Sequence, residues 1–295
     1  MREIKINEFI KELTDNIPPE NEFMELYKST PIFAEKGKEF RINFERGMLL
    51  YALITKYQPK TILEIGTAEG YATLCMAWAM TNNNIDGQIF TIDPVSHTEP
   101  RKRIIDLKNT GTSKMEMLSR SELWEKVAPK KWLEKIEVLE GFSGDVIRNK
   151  QFPKIDLVFI DGNHNYDAVK SDFYYCIELV SDRFGILFDD YIPNEKINVK
   201  KLIDDEISKK LKTVLIDTNT NRQIRDMQIE SDFQIKMCWI HDEDLKKPIS
   251  SMFPKQERRK FLEKYAQYEK RIRLRKKINK KIPFLENIKF RWWKK

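Results

Sequence analysis

The chain has 295 residues, 41% of them hydrophobic, which is enough for one large core with appendages or two small domains. No apolar run approaches the roughly 18 residues that a membrane-spanning helix needs, and the opening "MREIKINEFIKELTDN" is polar and charged where a secretory leader would be apolar. The net charge of +7 is uneven: residues 254–295 hold 17 Lys+Arg and 4 Asp+Glu, a local +13, so that residues 1–253 carry −6.

In chain order, residues 1–40 read as one or two short helices broken at "NIPPEN", a helical cap on the main domain. "NFERGMLLYALITKYQ" sets Phe44, Met48, Tyr51 and Ile54 at helical spacing and is closed by Pro59. Strand and helix patterns then alternate. "TILEIG" is a strand and "YATLCMAWAM" a helix; "QIFTID" is a strand. A polar stretch from Pro94 to Lys131 includes a helix around Ser121 to Trp132. "IEVLEG", "IDLVFIDG" and "GILFDD" are strands, with helices at "GDVIRNK", "YDAVKSDFYYCIELV" and "NVKKLIDDEISKKL". "TVLIDT" and "IKMCWIH" close the series with no helix between them.

This alternation predicts an α/β fold: a doubly wound, Rossmann-like sheet of seven strands, mostly parallel, with the last strand antiparallel. The expected organisation is a cap over 1–40, a catalytic domain over 41–248 and a basic extension over 249–295. Cys75, Cys176 and Cys238 lie far apart inside apolar segments, without metal spacing, and read as reduced core thiols. The profile is cytoplasmic.

"TILEIGTAEGYATL" (residues 61–74) is a strand, a glycine turn and a helix start, the layout of an anion or nucleotide site. The middle glycine of G-x-G-x-x-G is missing, and Glu64 would repel a pyrophosphate. An acid there suits a ligand with a cationic group. Asp93 ends the next strand, where a carboxylate can accept both hydroxyls of a ribose or simply open the turn before Pro94. Farther on, Asp161 ends one strand and Asp189 and Asp190 end the next. Three carboxylates converging outside the strand ends repel one another unless a cation joins them, and oxygen ligands suit Mg²⁺.

The E-x-G-x-x-x-G run resembles the first motif of class I S-adenosylmethionine-dependent methyltransferases. That resemblance makes Gly66, Thr67 and Gly70 the turn around the amino-acid end of S-adenosylmethionine, with Glu64 and Tyr71 as neighbouring cofactor contacts and Asp93 on the ribose. "GFSGD" resembles the G-x-S-x-D stretch of catechol-type O-methyltransferases, which places Ser143 and Phe142 at the adenine; Ser143 as a helix cap is the plain alternative. Asp161-Gly162-Asn163-His164-Asn165-Tyr166 resembles the D-G-x-H-x-Y run of metal-dependent relatives acting on macrolide sugars and of the cephalosporin-hydroxylase-like group. The likeness covers roughly residues 40–245. It departs where the family often has Gly-Gly before the second acidic strand and this chain has Phe184-Gly185.

The resemblance implies a divalent ion on Asp161, Asp189 and Asp190, Asp161 near the cofactor as well, and O-methylation of a metal-activated hydroxyl. His164 is the candidate base, with a free imidazole pKa of about 6.5; Asp161 is the second. His164 could equally support an acidic ligand by hydrogen bonding. His97 reads as a loop residue, His241 as a surface residue and Trp78 as core.

From Pro254 on, Phe261, Tyr265, Tyr268 and Ile272 mark one helical face among Lys and Arg, Pro283 should end the helix, and Phe290 to Lys295 mix aromatic and basic residues. Such a tail suits an anionic membrane surface, at the inner face of the membrane, or packing on the body or on a second subunit of a homo-oligomer. The acidic body disfavours nucleic acid. The expected acceptor is a sugar hydroxyl in glycan or glycolipid synthesis, held in part by residues 1–40 and 94–131. The alternatives are a small aromatic or natural-product hydroxyl, or a cofactor-binding scaffold subunit without turnover.

Overall fold

The computed structural model describes residues 1–30, 34–35, 38–39, 43–105, 114–193, 198–226, 229–241 and 247–281. The chain opens with strand β1 (Arg2–Lys5) and helices α1 (Ile6–Leu13) and α2 (Glu20–Ser29). Two-residue strands β2 (Ala34–Glu35) and β3 (Lys38–Glu39) pair with each other ahead of α3 (Glu45–Tyr57). Next come β4 (Thr61–Ile65), α4 (Tyr71–Asn82) and β5 (Gln88–Asp93). A hairpin of β6 (Arg101–Ile105) and β7 (Lys114–Leu118), with α5 (Arg120–Val127) and α6 (Lys130–Leu133), leads to β8 (Ile136–Glu140). Then come α7 (Ser143–Asn149), β9 (Ile155–Ile160), α8 (Tyr166–Leu179) and β10 (Val180–Tyr191). One turn of α9 (Val199–Leu202) runs into a π-helical turn, Ile203–Ile207. Long strands β11 (Val214–Asp226) and β12 (Ile229–His241), a 3₁₀ turn and α10 (Lys255–Lys281) complete the chain.

Eight strands form one sheet in the order β1-β11-β12-β10-β9-β4-β5-β8. β12 runs antiparallel between β10 and β11, and the other pairings are parallel. The α/β architecture and the antiparallel insertion are as the sequence predicts. The eighth strand is not: Arg2–Lys5, inside the segment read as helical, pairs with Val214–Asp217 at the sheet edge. Its four residues alternate three polar side chains with one buried Ile4, too short a pattern to stand out beside the helix at the next position.

Alternation along the central strands explains the two layers. Ile62, Phe159 and Leu187 point into one core with α1 to α4, Trp78 included. Leu63, Val158 and Ile186 point into the other with α8 and the segment around Ile203. All three cysteines are free and buried. The stretch from Pro94 to Lys131 carries the β6–β7 hairpin as well as the expected helix. That helix starts on a capping box: Ser119 accepts from the Glu122 amide while Glu122 accepts from Ser119.

Helix α10 lies on the body. Phe261 meets Tyr174 edge to face at 5.6 Å, Arg258 pairs with Glu178, and Arg273 pairs with Asp145. Tyr268, expected on the apolar face, is 55% exposed. Phe290 to Lys295 and Pro283 lie outside the described residues. No helix among the described residues is long and apolar enough to cross a membrane.

Gly185 enters the sheet opposite His241, and a Cβ there would come within 1.9 Å of Cη2 of Trp239, itself buried. Gly185→Ala should therefore destabilise the fold by about 1–3 kcal/mol through overpacking, read as a lower midpoint in thermal or urea unfolding. An unchanged midpoint would mean that Trp239 can give way.

Candidate active site

The chain winds one way from β4 to β5 and β8 and the other way to β9 and β10, so the crevice outside the carboxyl ends of β4 and β9 is the switch point of the sheet, where ligands of such sheets sit. The glycine turn after β4 and the acids that end β5, β9 and β10 lie at this end of the sheet.

The turn after β4 is held from several sides. Gly66 and Gly70 both have φ of 95°, which favours glycine. A Cβ on Gly66 would fall 2.1 Å from the carbonyl of Asp161, and one on Gly70 would strike the Trp124 ring. Both glycines are thus needed for close packing within the chain. The Trp124 indole donates to the carbonyl of Glu69 at 2.9 Å, and Arg103 pairs with the Glu69 carboxylate. Asp93 accepts from the Ala68 amide at 2.9 Å and from Val95 at 2.7 Å, with buried Arg120 3.4 Å away. The 94–133 segment therefore clamps the turn through Arg103, Arg120 and Trp124, none of which the sequence reading singles out. His97 lies 4.9 Å from the Trp124 ring, centroid to centroid.

Three of the expected cofactor contacts face inward. Glu64 is fully buried behind the turn and accepts from Thr73 and Thr91. The Thr67 hydroxyl lies against that of Thr91. The Tyr71 hydroxyl donates to the carbonyl of Phe44 at 2.7 Å, tying α4 to the start of α3. Ser143 donates to the buried carboxylate of Asp172 on α8, whose pKa burial pushes up to about 7. Phe142 is 38% exposed, with the Arg273 guanidinium 4.4 Å above its ring.

Asp161, Asp189, Asp190 and His164 do come together, and with them comes Arg46 from the first turn of α3. Arg46 pairs with Oδ2 of Asp161 and lies 2.9 Å from Oδ2 of Asp189. His164 Nδ1 lies 3.0 Å from Asp190 Oδ2, and Nε2 lies 3.4 Å from Asp161 Oδ1. Asp190 has φ of 52°, a left-handed backbone uncommon for a non-glycine residue, within the stretch where the register with β12 shifts. Among the described residues, ligand-capable atoms within 4.8 Å of one another belong to Asp161, His164 and Asp190. Burial would lower the Arg46 pKa, but the three aspartates outweigh it and raise it. Burial pushes Asp189 up to about 7 against the pull of Arg46. His164 is raised above 6.5: burial opposes its charge, and Asp161, Asp190 and Asp189 together favour it more.

His241 lies far along the sheet, 6.1 Å from the Trp239 ring. Arg46 is invisible as a site residue in the sequence because its helix is more than a hundred positions from the strands it serves. The available signal is a charged pair, Glu45-Arg46, at the head of an otherwise apolar helix. Glu45 is buried as well, accepting from the backbone and side chain of Asn219 at 2.8 and 2.7 Å.

The burial of Glu64 has a measurable consequence. Burial lifts its carboxyl from near 4.5 to about 7. The unfolded chain then ionises first as pH rises, and stability falls between those values by about 3 kcal/mol. Glu64→Gln removes this dependence, so unfolding midpoints of variant and wild type should shift in the variant's favour between pH 4.5 and pH 7. A pH-independent difference would refute it.

Residues 63–191 match a family model described as a methyltransferase domain. A search of curated proteins gave no match. The fold is similar to solved structures of an O-methyltransferase from Bacillus cereus in complex with SAH (13% identity, 80% of this chain and 96% of that one, TM-score 0.49) and of the O-methyltransferase TomG from Streptomyces achromogenes in complex with SAM (14%, 79% and 94%, TM-score 0.49). A putative O-methyltransferase from Klebsiella pneumoniae is similar too (17%, 79% and 94%, TM-score 0.47). The glycine turn, the strand-end acids and the switch-point crevice all lie inside the matched segment, so that residues 63–191 form a methyltransferase domain.

Proposed function

We propose that the chain transfers the methyl group of S-adenosylmethionine to a hydroxyl oxygen, with His164 as the base and Asp190 as its orienting partner. The observation that carries this is the 3.0 Å contact of His164 Nδ1 with Asp190 Oδ2. A carboxylate there fixes the proton on Nδ1 and makes Nε2, 3.4 Å from Asp161 Oδ1, the nitrogen that accepts one, the logic of a His–Asp pair.

The crevice suits a cationic donor by its charge. Three aspartates face one arginine and one histidine, leaving net negative charge beside the turn. In this reading Gly66, Thr67 and Gly70 shape the cradle for the amino-acid end, Asp93 faces the ribose, and Phe142 and Ser143 border the adenine. Glu64 and Tyr71 act from behind, Glu64 by holding Thr91 against Thr67 and Tyr71 by anchoring α3. Bound there, S-adenosylmethionine supplies an electrophilic methyl. His164 Nε2 takes the hydroxyl proton, the oxygen forms the new bond to carbon, and the sulfur keeps the electron pair of the bond that breaks. Holding the two reactants in line supplies much of the rate, up to roughly 7–11 kcal/mol in intramolecular models.

A Mg²⁺ ion on Asp161, Asp189 and Asp190 does not fit these side chains. Arg46 lies between Asp161 and Asp189, and Asp190 faces His164. The group that does converge mixes imidazole with carboxylate, whereas Mg²⁺ prefers oxygen alone. No step above passes through a metal.

The acceptor we favour is a sugar hydroxyl of a glycan or glycolipid. The Asp161 to Tyr166 run supports this, as does a basic helix able to bring the enzyme to an anionic membrane surface carrying lipid-linked glycans. A small aromatic hydroxyl is the second reading, and turnover of simple phenols in preference to nucleotide sugars or lipid-linked glycans would favour it.

Calorimetry should detect binding of S-adenosylmethionine to the purified chain; no binding would end the enzyme reading. His164→Ala should lower methyl transfer 10²–10⁴-fold, while a few-fold loss would make His164 a supporting residue. The acid limb of the pH–rate profile should lie above pH 6.5, because the raised pKa of His164 delays its neutral form. A limb below 6.5 would point to another base.

A further inference from the structure

The geometry points to Arg46 as a built-in counter-ion that holds the place of a divalent metal between Asp161 and Asp189. It rests on the methyltransferase reading and assigns that site a metal-free form. Two strand-end carboxylates aimed at one point need a cation, because like charges so close cannot both stay ionised alone. Here the cation is covalently part of the chain. The Arg46 guanidinium touches Oδ2 of both acids, and its fork can serve two carboxylates at once.

The side chain is installed. Arg46 Nε donates to the carbonyl of Asn43 at 3.2 Å, which fixes the root of the guanidinium. The preceding residue, Glu45, is fastened to Asn219 on β11. The next one, Gly47, sits where a Cβ would come within 2.5 Å of the Tyr71 hydroxyl, so helix α3 lies hard against α4 at this point. The carbonyl of Phe44 takes the Tyr71 hydroxyl. Arg46 is thus held by neighbours on both sides, and its side chain is 13% exposed, against 0% for Asp189. An ion entering between the two acids would have to expel a guanidinium with no other acid of the cluster left unclaimed, since Asp190 already faces His164.

The test is a titration of the full chain with Mn²⁺, monitored by electron paramagnetic resonance, in wild type and Arg46→Met. Wild type should bind Mn²⁺ at least tenfold more weakly than Arg46→Met, because the variant frees Oδ2 of Asp161 and Asp189. Equal affinity in the two proteins would overturn the proposal, and so would tight binding by wild type alone. If neither protein binds Mn²⁺, the acids are no ion site, and the claim that Arg46 holds an ion's place falls. Should Arg46→Met not fold, as judged by circular dichroism, Arg46→Gln takes its place in the same comparison. In parallel, S-adenosylmethionine affinity of wild type should be unchanged, within threefold, by a chelator; a larger loss would overturn the metal-free site. If wild type binds no S-adenosylmethionine at all, the methyltransferase reading fails, while the Mn²⁺ comparison still decides the role of Arg46.

Discussion

Everything at the open end of the sheet depends on one electrostatic constraint: three carboxylates end two adjacent buried strands, and their charge must be compensated where little water reaches. Arg46 meets two of them and His164 the third. The compensation dictates where α3 starts, since its first turn must deliver a guanidinium to the ends of β9 and β10. The backbone at Asp190 is left-handed, and the two neighbouring acids there meet different partners. A site assembled this way is ordered before any ligand arrives, which is the condition for electrostatic catalysis without reorganisation.

The glycine turn is built on the same plan. Its glycines admit other parts of the chain, the carbonyl of Asp161 and the ring of Trp124, at distances no side chain would allow. The segment between β5 and β8 then clamps the turn with two buried arginines and an indole. Two acids of the region, Glu64 and Asp172, are buried with hydroxyl partners rather than cations, and burial lifts both toward neutrality. They are the hidden polar frame under the site, and desolvation is the dominant influence on each.

Much of this is legible in the sequence. The apolar strand runs, the glycine spacing and the acids at strand ends depend on local pattern, and local pattern survives folding. Asp161, His164, Asp189 and Asp190 can be read together because each lies within a few residues of a recognisable strand end. Arg46, Arg103 and Arg120 escape because an arginine in a helix or polar loop looks solvated until its partner is known, and the partners lie 15 to 143 positions away. Glu64 and Tyr71 are found as members of the motif, but the direction of their side chains is not, since the face that a strand or helix residue presents is set by what packs on it. The first strand is missed for want of length: four residues, one apolar, cannot outweigh a helical pattern that begins at the next position.

That first strand closes a very long loop. Arg2–Lys5 pairs with Val214–Asp217, so this strand is made well before its partner and finds it only after some two hundred more residues have been added. Until then Ile4 has no sheet to lie on, and β11 has no strand to cover its outer edge. The order of synthesis and the order of assembly are therefore opposed at this edge, and pairing across so long a loop is entropically slow. A ribosome-bound or truncated chain lacking residues beyond 213 would present a nascent sheet with its first strand unplaced, a state suited to capture by chaperones or to pairing with another copy's β11.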